Sequence, residues 1–409
     1  MPVELLDQTE ADAGADREYL YTLNFGPQHP ATHTTLRLIL TLDGETVVKA
    51  VPDIGFLHSG FEKLGEDLDF NQYVTIVDRM NYISPVANEI AWCHTVEKLL
   101  GIEITPRCRY VRTILAELAR ISDHLLCVGA VALDLGGLTG FLYAFNERES
   151  VYNIIEQASG QRFHPSFCRV GGLMADVTDE WIGLIRQFVK SFPKAHHDVC
   201  KLLNRNKIFI DRTKGIGVLT KEQAINRGVT GPVARASGVV RDLRKDEPYL
   251  AYPDLQSTFK VACSTGGDCL ARYLVRMEEM AESLKIIEAA VENLPTGPVN
   301  VASDDKITIP DKQATYRSIE GLIQHFELFM WNRKFETPVN EVYGANETAN
   351  GELGFYVVAD GGAKAWRART RPPSFIHFAL FPHLMEGHQI SDVPAILGSL
   401  NIIAAELDR

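Results

Sequence analysis

Apolar residues recur with two different periods along the chain. Leucines occupy every second position from Leu36 to Leu40, and Asp43-Gly44 separates this run from Glu45-Thr46-Val47-Val48. A period of two is typical of strands, and Asp-Gly is a favoured hairpin turn. The pattern therefore predicts an antiparallel hairpin inside a β region that covers residues 19–63.

The middle of the chain repeats apolar residues every three or four positions, as amphipathic helices do. Proline at the first helical position predicts one helix from Ser84-Pro85 to Gly101 and another that begins at Thr105-Pro106. Further helices are predicted over 140–158, 178–203, 268–293 and 314–331. In the second helix the apolar stripe comprises Ile114, Leu118, Ile121, Leu125 and Val128.

The polar residues Arg112, Arg120 and Asp123 fall off this stripe, so we predict that they form a solvated or interface face. An antiparallel bundle buries such stripes, and the runs 339–343 and 354–359 predict a late β-hairpin arm. The fold class is therefore α+β. The predicted organisation is a flexible tail over 1–18, the β region over 19–63, a helical bundle over 64–335 with an irregular insertion near 205–265, and a C-terminal hairpin with short helices over 336–409.

Composition narrows the class of protein. The 409 residues carry a formal charge of -12, with 45% hydrophobic and 23% charged residues, as in an ordinary globular protein. The negative charge argues against binding of nucleic acid and against electrostatic adhesion to anionic lipid. The longest apolar run, 125–135, is too short for a transmembrane helix, and 1–17 does not resemble a secretory signal.

The seven cysteines are odd in number and irregularly spaced, which argues against a disulfide framework. No C-x-x-C pair occurs, and the closest two, Cys263 and Cys269, are six apart. The standard zinc and iron–sulfur spacings are therefore absent.

Several polar residues are candidates for chemistry, although each alone has a structural explanation. The loop from Asn24 to His33 holds two prolines and two histidines, which can orient an imidazole or simply pack. Asp134 interrupts an apolar sequence and could instead cap a helix end. The turn from Asp78 to Tyr82 and the loop around His164 are equally ambiguous. The glycine-rich run 230–238 lacks the spacing of a phosphate-binding loop.

Taken in order, these motifs resemble one family over almost the whole chain from Thr22 to Arg409. The family is the 49-kilodalton (D) subunit of respiratory complex I, the proton-pumping NADH:quinone oxidoreductase. The stretches that carry the resemblance are Asn24-Phe25-Gly26-Pro27-Gln28-His29-Pro30 with His33, Gly55–Lys63, Asp78-Arg79-Met80-Asn81-Tyr82, Gly160-Gln161-Arg162-Phe163-His164, Arg235-Ala236-Ser237-Gly238, Gly351-Glu352-Leu353-Gly354 and Asp408-Arg409.

The resemblance implies a quinone-headgroup site. His33 and Tyr82 would hydrogen-bond the two quinone carbonyls, and Asp134 would pair with His33. Arg79 and His164 would face a 4Fe-4S cluster held by a partner subunit, while this chain would bind no cofactor itself. His29 is expected to hold the loop in shape.

These roles are chemically reasonable. Quinone reduction takes two electrons and two protons, and a histidine with an ordinary pKa of about 6.5 is a ready donor. A tyrosine with a pKa of about 10 costs about 4 kcal/mol to deprotonate at neutral pH, so only a strongly basic reduced quinone would accept its proton.

The family is similar in fold to the large subunit of nickel–iron hydrogenases, which hold a metal pair through two C-x-x-C pairs. This chain lacks those thiolates, which disfavours a hydrogenase-like function. That function is one alternative hypothesis, and a non-catalytic scaffold in the same assembly is the other. The implied partners are the cluster-bearing small subunit, the 30-kilodalton (C) subunit, a ferredoxin-like subunit and a quinone-channel membrane subunit. The implied location is peripheral, on the cytoplasmic side of a bacterial inner membrane.

Three positions depart from the family pattern. Ser59 replaces an arginine that some relatives carry, Asn401 replaces the usual aspartate, and Ala404 replaces the usual glycine. These departures affect local details near the cluster-facing loop and at the end of the chain.

Overall fold

The part of the chain that the structure describes contains three small sheets together with long and short helices, consistent with the α+β class. The computed structural model describes residues 4–5, 20–302, 310, 312–330 and 335–409. The predicted tail over 1–18 lies outside the described residues except for Glu4–Leu5, which form a short strand.

The N-terminal sheet is antiparallel and has the order β1-β2-β3-β4. Gly44, with φ 58°, makes the predicted turn between the third and fourth strands. A two-stranded and a three-stranded sheet follow. The strands are β1 Glu4–Leu5, β2 Leu20–Phe25, β3 Arg37–Asp43, β4 Thr46–Asp53, β5 Cys168–Arg169, β6 Gly172–Leu173, β7 Val339–Glu347, β8 Glu352–Asp360 and β9 Ala365–Arg371.

The predicted helix signals of the middle region are confirmed. Pro85 opens one helix and Gly101, with φ 67°, closes it, while the Thr105 side chain accepts from Cys108 N at 3.3 Å to cap the next. The helices are α1 Phe61–Asp67, α2 Val74–Val77, α3 Pro85–Leu100, α4 Pro106–Asp134, α5 Leu138–Ser159, α6 Asp179–Leu203, α7 Lys207–Asp211, α8 Lys221–Asn226, α9 Gly231–Ala236, α10 Leu243–Asp246, α11 Cys269–Glu292, α12 Lys312–Arg317, α13 Ile319–His325, α14 Pro373–Phe378, α15 Phe381–Met385, α16 Val393–Leu400 and α17 Ala404–Asp408.

The α4 helix is enclosed by its neighbours, and this corrects one prediction. It packs against α3, α5, α11 and α16, so no broad face of it is left for solvent. Arg112, Arg120 and Asp123 are therefore buried instead of solvated. Buried charges need partners, and Arg112 donates to Glu97 at 2.9 and 2.8 Å.

Three further segments differ from their predictions. The predicted helix over 314–331 is interrupted at Ser318, whose side chain caps α13, and ends in a π-helical turn at Phe326–Met330; position 331 lies outside the described residues. Part of the glycine-rich run 230–238 forms the short α9 helix. The run 365–371 adds a third strand to the predicted C-terminal hairpin arm.

The two ends of the chain share one hydrophobic core. Leucines of β3 pack with Phe378, Phe381 and Leu397 of the C-terminal helices, whereas α4 belongs to the larger core of the helical region. The loop after β2 is consequently held between α16 and the end of α4. Among the described residues, no helix combines the length and apolar character that a membrane span requires.

Candidate functional site

The loop after β2 is shaped by its glycine, its prolines and one of its histidines. Gly26 has φ 99°, and a Cβ there would lie 2.1 Å from Leu36 O, so only glycine fits. His29 caps the 3-10 turn Pro30–Thr32: its Nδ1 accepts from Ala31 N at 3.2 Å, and its ring lies 4.0 Å from that of Phe25. His29 is thus used within the loop.

His33 ends this turn and faces the end of α4. It has left-handed backbone, with φ 55° and ψ 0°, which turns the following residues toward β3. Its Nε2 lies 2.6 Å from Asp134 Oδ2, at ion-pair distance but out of line for a hydrogen bond. The side chains are 28% and 14% exposed, so the pair is shielded from solvent without being sealed.

A cavity of about 250 Å³ opens beside His33. Thr32, His33, Tyr82 and Asn401 are the polar residues that line it, and the remaining lining residues are mostly apolar: Ile83, Leu126, Cys127, Ala130, Leu397, Gly398, Ile402 and Ile403. Two larger grooves, of about 650 and 600 Å³, are more open and have several charged side chains in their walls. An apolar wall with a few convergent polar groups is the usual character of a site for a small organic ligand.

Tyr82 reaches the cavity from the turn between α2 and α3. Burial raises the pKa of its phenol, and the nearby Thr34 hydroxyl, which can hydrogen-bond it, opposes that rise. Thr34 also accepts from Ala404 N at 3.1 Å, so the opening loop and the start of α17 are joined beside the phenol. His33 and Tyr82, far apart in the chain, therefore line one cavity, and Asp134 lies behind His33.

Arg79 and His164 form a second group that is not part of the cavity wall. Burial, and secondarily the charge of Arg79, lowers the pKa of His164, so the two side chains are neighbours. Behind them Asp78 is buried and accepts from Ser166 N and Oγ at 3.1 and 2.7 Å. Burial raises the pKa of Asp78. This group lies at the protein surface, since Arg79 and Phe163 are exposed.

Comparison with known proteins identifies the family. The family model described as "Respiratory-chain NADH dehydrogenase, 49 Kd subunit" matches residues 134–409. The D subunit of the NADH-quinone oxidoreductase of Methylacidiphilum infernorum is 44% identical over 406 residues, which cover 99% of this chain and 96% of the relative. The chain belongs to this family.

Two further relatives agree with this membership. The NADH-quinone oxidoreductase D 1 subunit of Chloroherpeton thalassium is 47% identical over 392 residues, covering 96% of this chain and 88% of the relative. The corresponding D 2 subunit of Rhizobium etli is 44% identical over 404 residues, covering 99% and 98%. This 49-kilodalton-family chain is accordingly one subunit of a multi-subunit oxidoreductase complex.

The sequence prediction missed much of the cavity. Leu126, Cys127 and Ala130 come from α4, and Leu397 and Gly398 come from α16. Gly398 permits this contact, because a Cβ there would lie 2.8 Å from Val131 Cγ2 and 3.7 Å from His33 Cε1. One signal was available in the sequence. Apart from Cys127, the ionisable side chains between 121 and 133 are Asp123 and His124 alone, and so apolar a segment is typical of a helix buried on all sides.

Proposed function

We propose that this chain forms the quinone-headgroup site of a proton-pumping NADH:quinone oxidoreductase. The observation that carries the proposal is the convergence of His33 and Tyr82 on one largely apolar cavity, with Asp134 2.6 Å from His33. A volume of about 250 Å³ suits a single ring. Pockets for larger, drug-sized ligands take about 300–1,000 Å³, so the isoprenoid tail would lie outside this cavity.

The chain's own residues would supply protons and orientation. A quinone that receives two electrons from a partner subunit needs one proton on each oxygen. Tyr82 can give its O–H proton to one oxygen, and His33 can give an N–H proton to the other. The ring that gives this proton is the doubly protonated imidazolium, which becomes neutral, and the Asp134 carboxylate lies beside its positive charge before the transfer.

Burial of Tyr82 is consistent with proton transfer that follows reduction of the quinone. Because burial raises the pKa of the phenol, the proton does not leave spontaneously. It moves only to a strongly basic acceptor, and a two-electron-reduced quinone is one. Thr34 can then donate its hydroxyl hydrogen to the phenolate, since its oxygen already accepts from Ala404 N.

The remaining roles follow from the same proposal. The surface group of Arg79 and His164 would face the 4Fe-4S cluster of a small partner subunit, and charge changes at His33, Tyr82 and Asp134 would begin the coupling to proton translocation. The other partners would be the 30-kilodalton (C), ferredoxin-like and quinone-channel subunits, on the cytoplasmic side of a bacterial inner membrane. The arrangement would be that of a hydrogenase large subunit in which an organic substrate replaces the metal pair.

Substitution of Tyr82 tests the proposal in the assembled complex. Tyr82→Phe keeps the ring but removes the donor, and we expect quinone reductase activity to fall about tenfold to a hundredfold. Tyr356→Phe, an exposed tyrosine on β8, is the matched control and should behave as the wild type. Unchanged activity of Tyr82→Phe would refute the donor role, and binding of a quinone analogue with no dependence on His33 or Tyr82 would favour a scaffold.

A further inference from the structure

Beneath the cavity, the carboxylate of Asp123 joins two of its walls. Oδ2 accepts from Asn81 Nδ2 at 3.2 Å and from Ser84 Oγ at 3.0 Å, and Oδ1 accepts from Asn401 Nδ2 at 2.7 Å. Asp123 itself is fully buried. Its two oxygens therefore serve two different segments of the chain.

The first segment carries Tyr82. Asn81 donates to Asp123 through Nδ2 and accepts from Ile83 N at 3.2 Å through Oδ1, so its side chain spans the turn that presents Tyr82. Ser84, which precedes α3, is the second donor on this side. The orientation of the turn, and of the phenol between these residues, depends on the position of the carboxylate.

The second segment carries Asn401, which also lines the cavity. Asn401 has left-handed backbone, with φ 55° and ψ 60°, and ends α16. Its amide also donates to Asn350 Oδ1 at 2.5 Å, which ties it to the turn between β7 and β8. Ile402 and Ile403 follow directly and continue the wall.

We propose that Asp123 is a positioning residue of the headgroup cavity: its carboxylate holds the Tyr82 wall against the Asn401 wall and so sets the width of the space between them. The inference rests on the proposed quinone site and deepens it. Asp123 does not line the cavity, so it acts through Asn81, Ser84 and Asn401 and not on the substrate.

The hydrogen-bond pattern permits a reciprocal exchange of the acid and the amide. With Asp123→Asn, the new side-chain oxygen can take the Oδ2 position and accept from Asn81 and Ser84, while the new NH₂ group takes the Oδ1 position. With Asn401→Asp, a carboxylate stands opposite that NH₂ group. Asn350 can rotate its amide to donate as well, because its Nδ2 has no hydrogen-bond partner among the described residues.

The experiment compares Asn401→Asp with the double exchange Asn401→Asp/Asp123→Asn in the assembled complex. Two ionised carboxylates cannot hydrogen-bond each other, so at a pH where both are ionised we expect Asn401→Asp to raise KM for a short-chain quinone about tenfold, with kcat much less affected. The double exchange restores the acid–amide pair and should return KM to within about twofold of the wild type.

The pH profile of KM is the readout that a merely structural defect would not reproduce. Two buried carboxyl groups in contact share a proton, so Asn401→Asp should add a pH dependence that the wild type and the double exchange lack. The charge of Asp123 acts on several ionisable groups: His124 and Cys127 on α4, Arg148 and Tyr152 on α5, and Glu406 on α17. None of these groups is substituted in the single variant or in the double exchange.

An unchanged KM in Asn401→Asp would overturn the proposal, and so would a double exchange no better than the single variant. If Asn401→Asp does not assemble into the complex, assembly of the double exchange with a normal KM supports the proposal. If neither assembles, Ser84→Ala removes one donor only and should raise KM about threefold; no change would overturn the proposal. If Tyr82→Phe also leaves quinone kinetics unaltered, the cavity itself is not the quinone site, which is a separate failure.

Discussion

His33 Nε2 and Asp134 Oδ2 lie 2.6 Å apart, and this contact joins the loop after β2 to the last residue of α4. The imidazole comes from a loop stiffened by Pro27 and Pro30, and the carboxylate comes from a helix end packed in the core of the helical region. The contact places an imidazole in the wall of the cavity.

Asp134→Asn should weaken catalysis more than assembly. The amide keeps the shape of the carboxyl group but removes its negative charge from beside the His33 ring. An ion pair that solvent still reaches contributes up to about 1 kcal/mol, so we expect kcat/KM for quinone to fall about twofold to fivefold. Asp43→Asn, at the exposed end of β3, is the control and should match the wild type. Equal activities of the two variants would remove Asp134 from the site.

Arg235→Met should destabilise the chain strongly. Arg235 is fully buried and donates to Glu279 Oε1 at 2.8 Å and to Glu347 Oε1 at 2.7 Å. Loss of one partner from a buried ionic cluster leaves uncompensated charge and costs about 3–5 kcal/mol. The urea midpoint of the purified chain measures the effect.

Arg162→Met is the matched control for this variant. Arg162 pairs with Glu149 and Glu156, but all three side chains are well exposed. Exposed ion pairs contribute only about 0–1 kcal/mol, so the urea midpoint should shift little. Similar shifts for the two variants would contradict the assignment of the Arg235 cluster as a buried, mutually compensated group.

Glu406→Gln should stabilise the chain, and more so as the pH rises. Burial raises the pKa of Glu406 from its ordinary 4.5 to about 8, although Ser374 donates to it. Between these two values the unfolded chain loses the proton while the folded chain keeps it, so stability falls as pH rises, by up to about 1.4 kcal/mol per pH unit.

Glutamine imitates the protonated acid and removes this loss. The difference in thermal unfolding midpoint between Glu406→Gln and the wild type should be small near pH 5 and largest near pH 8. Glu45→Gln, an exposed position in the N-terminal hairpin, supplies the baseline. A difference that shrinks with rising pH would have the wrong sign.

Asp408→Ala should release the loop before α1. The Asp408 carboxylate accepts from Gly55 N at 2.9 Å and from Leu57 N at 2.7 Å, and its carbonyl oxygen lies 2.8 Å from His58 Nδ1. Hydrogen bonds to a charged acceptor contribute about 1.5–3 kcal/mol, so protease cleavage within 55–60 should accelerate about tenfold or more. Asp408→Asn retains one acceptor oxygen, so its cleavage rate should fall between those of the wild type and Asp408→Ala. Cleavage of both variants at the wild-type rate would show that Asp408 does not hold this loop.

Much of the candidate site could be predicted because its signals are local or belong to the family pattern. His33, Tyr82 and Asp134 come from short stretches whose residues are readable without coordinates, and the structure brings the first two to one cavity and the third behind His33. The apolar wall could not be predicted in this way. Leu126 and Leu397 are ordinary core leucines in the sequence, and only the packing of α16 on α4 makes them part of a cavity.

Local sequence is sufficient for the elements whose ends are set within one or two turns of the chain. Proline at Pro85 and Pro106, glycine at Gly101 and the Asp43-Gly44 turn act on neighbouring backbone, so their effect does not depend on the rest of the fold. Which polar residues are buried depends instead on long-range packing. Asp123 and Asn401 are 278 positions apart. Asp123, predicted on a solvated or interface face, is a buried acceptor because Ser84 before α3 and Asn401 after α16 both donate to it. Helical periodicity records which residues share a face, but burial depends on how many neighbours cover that face.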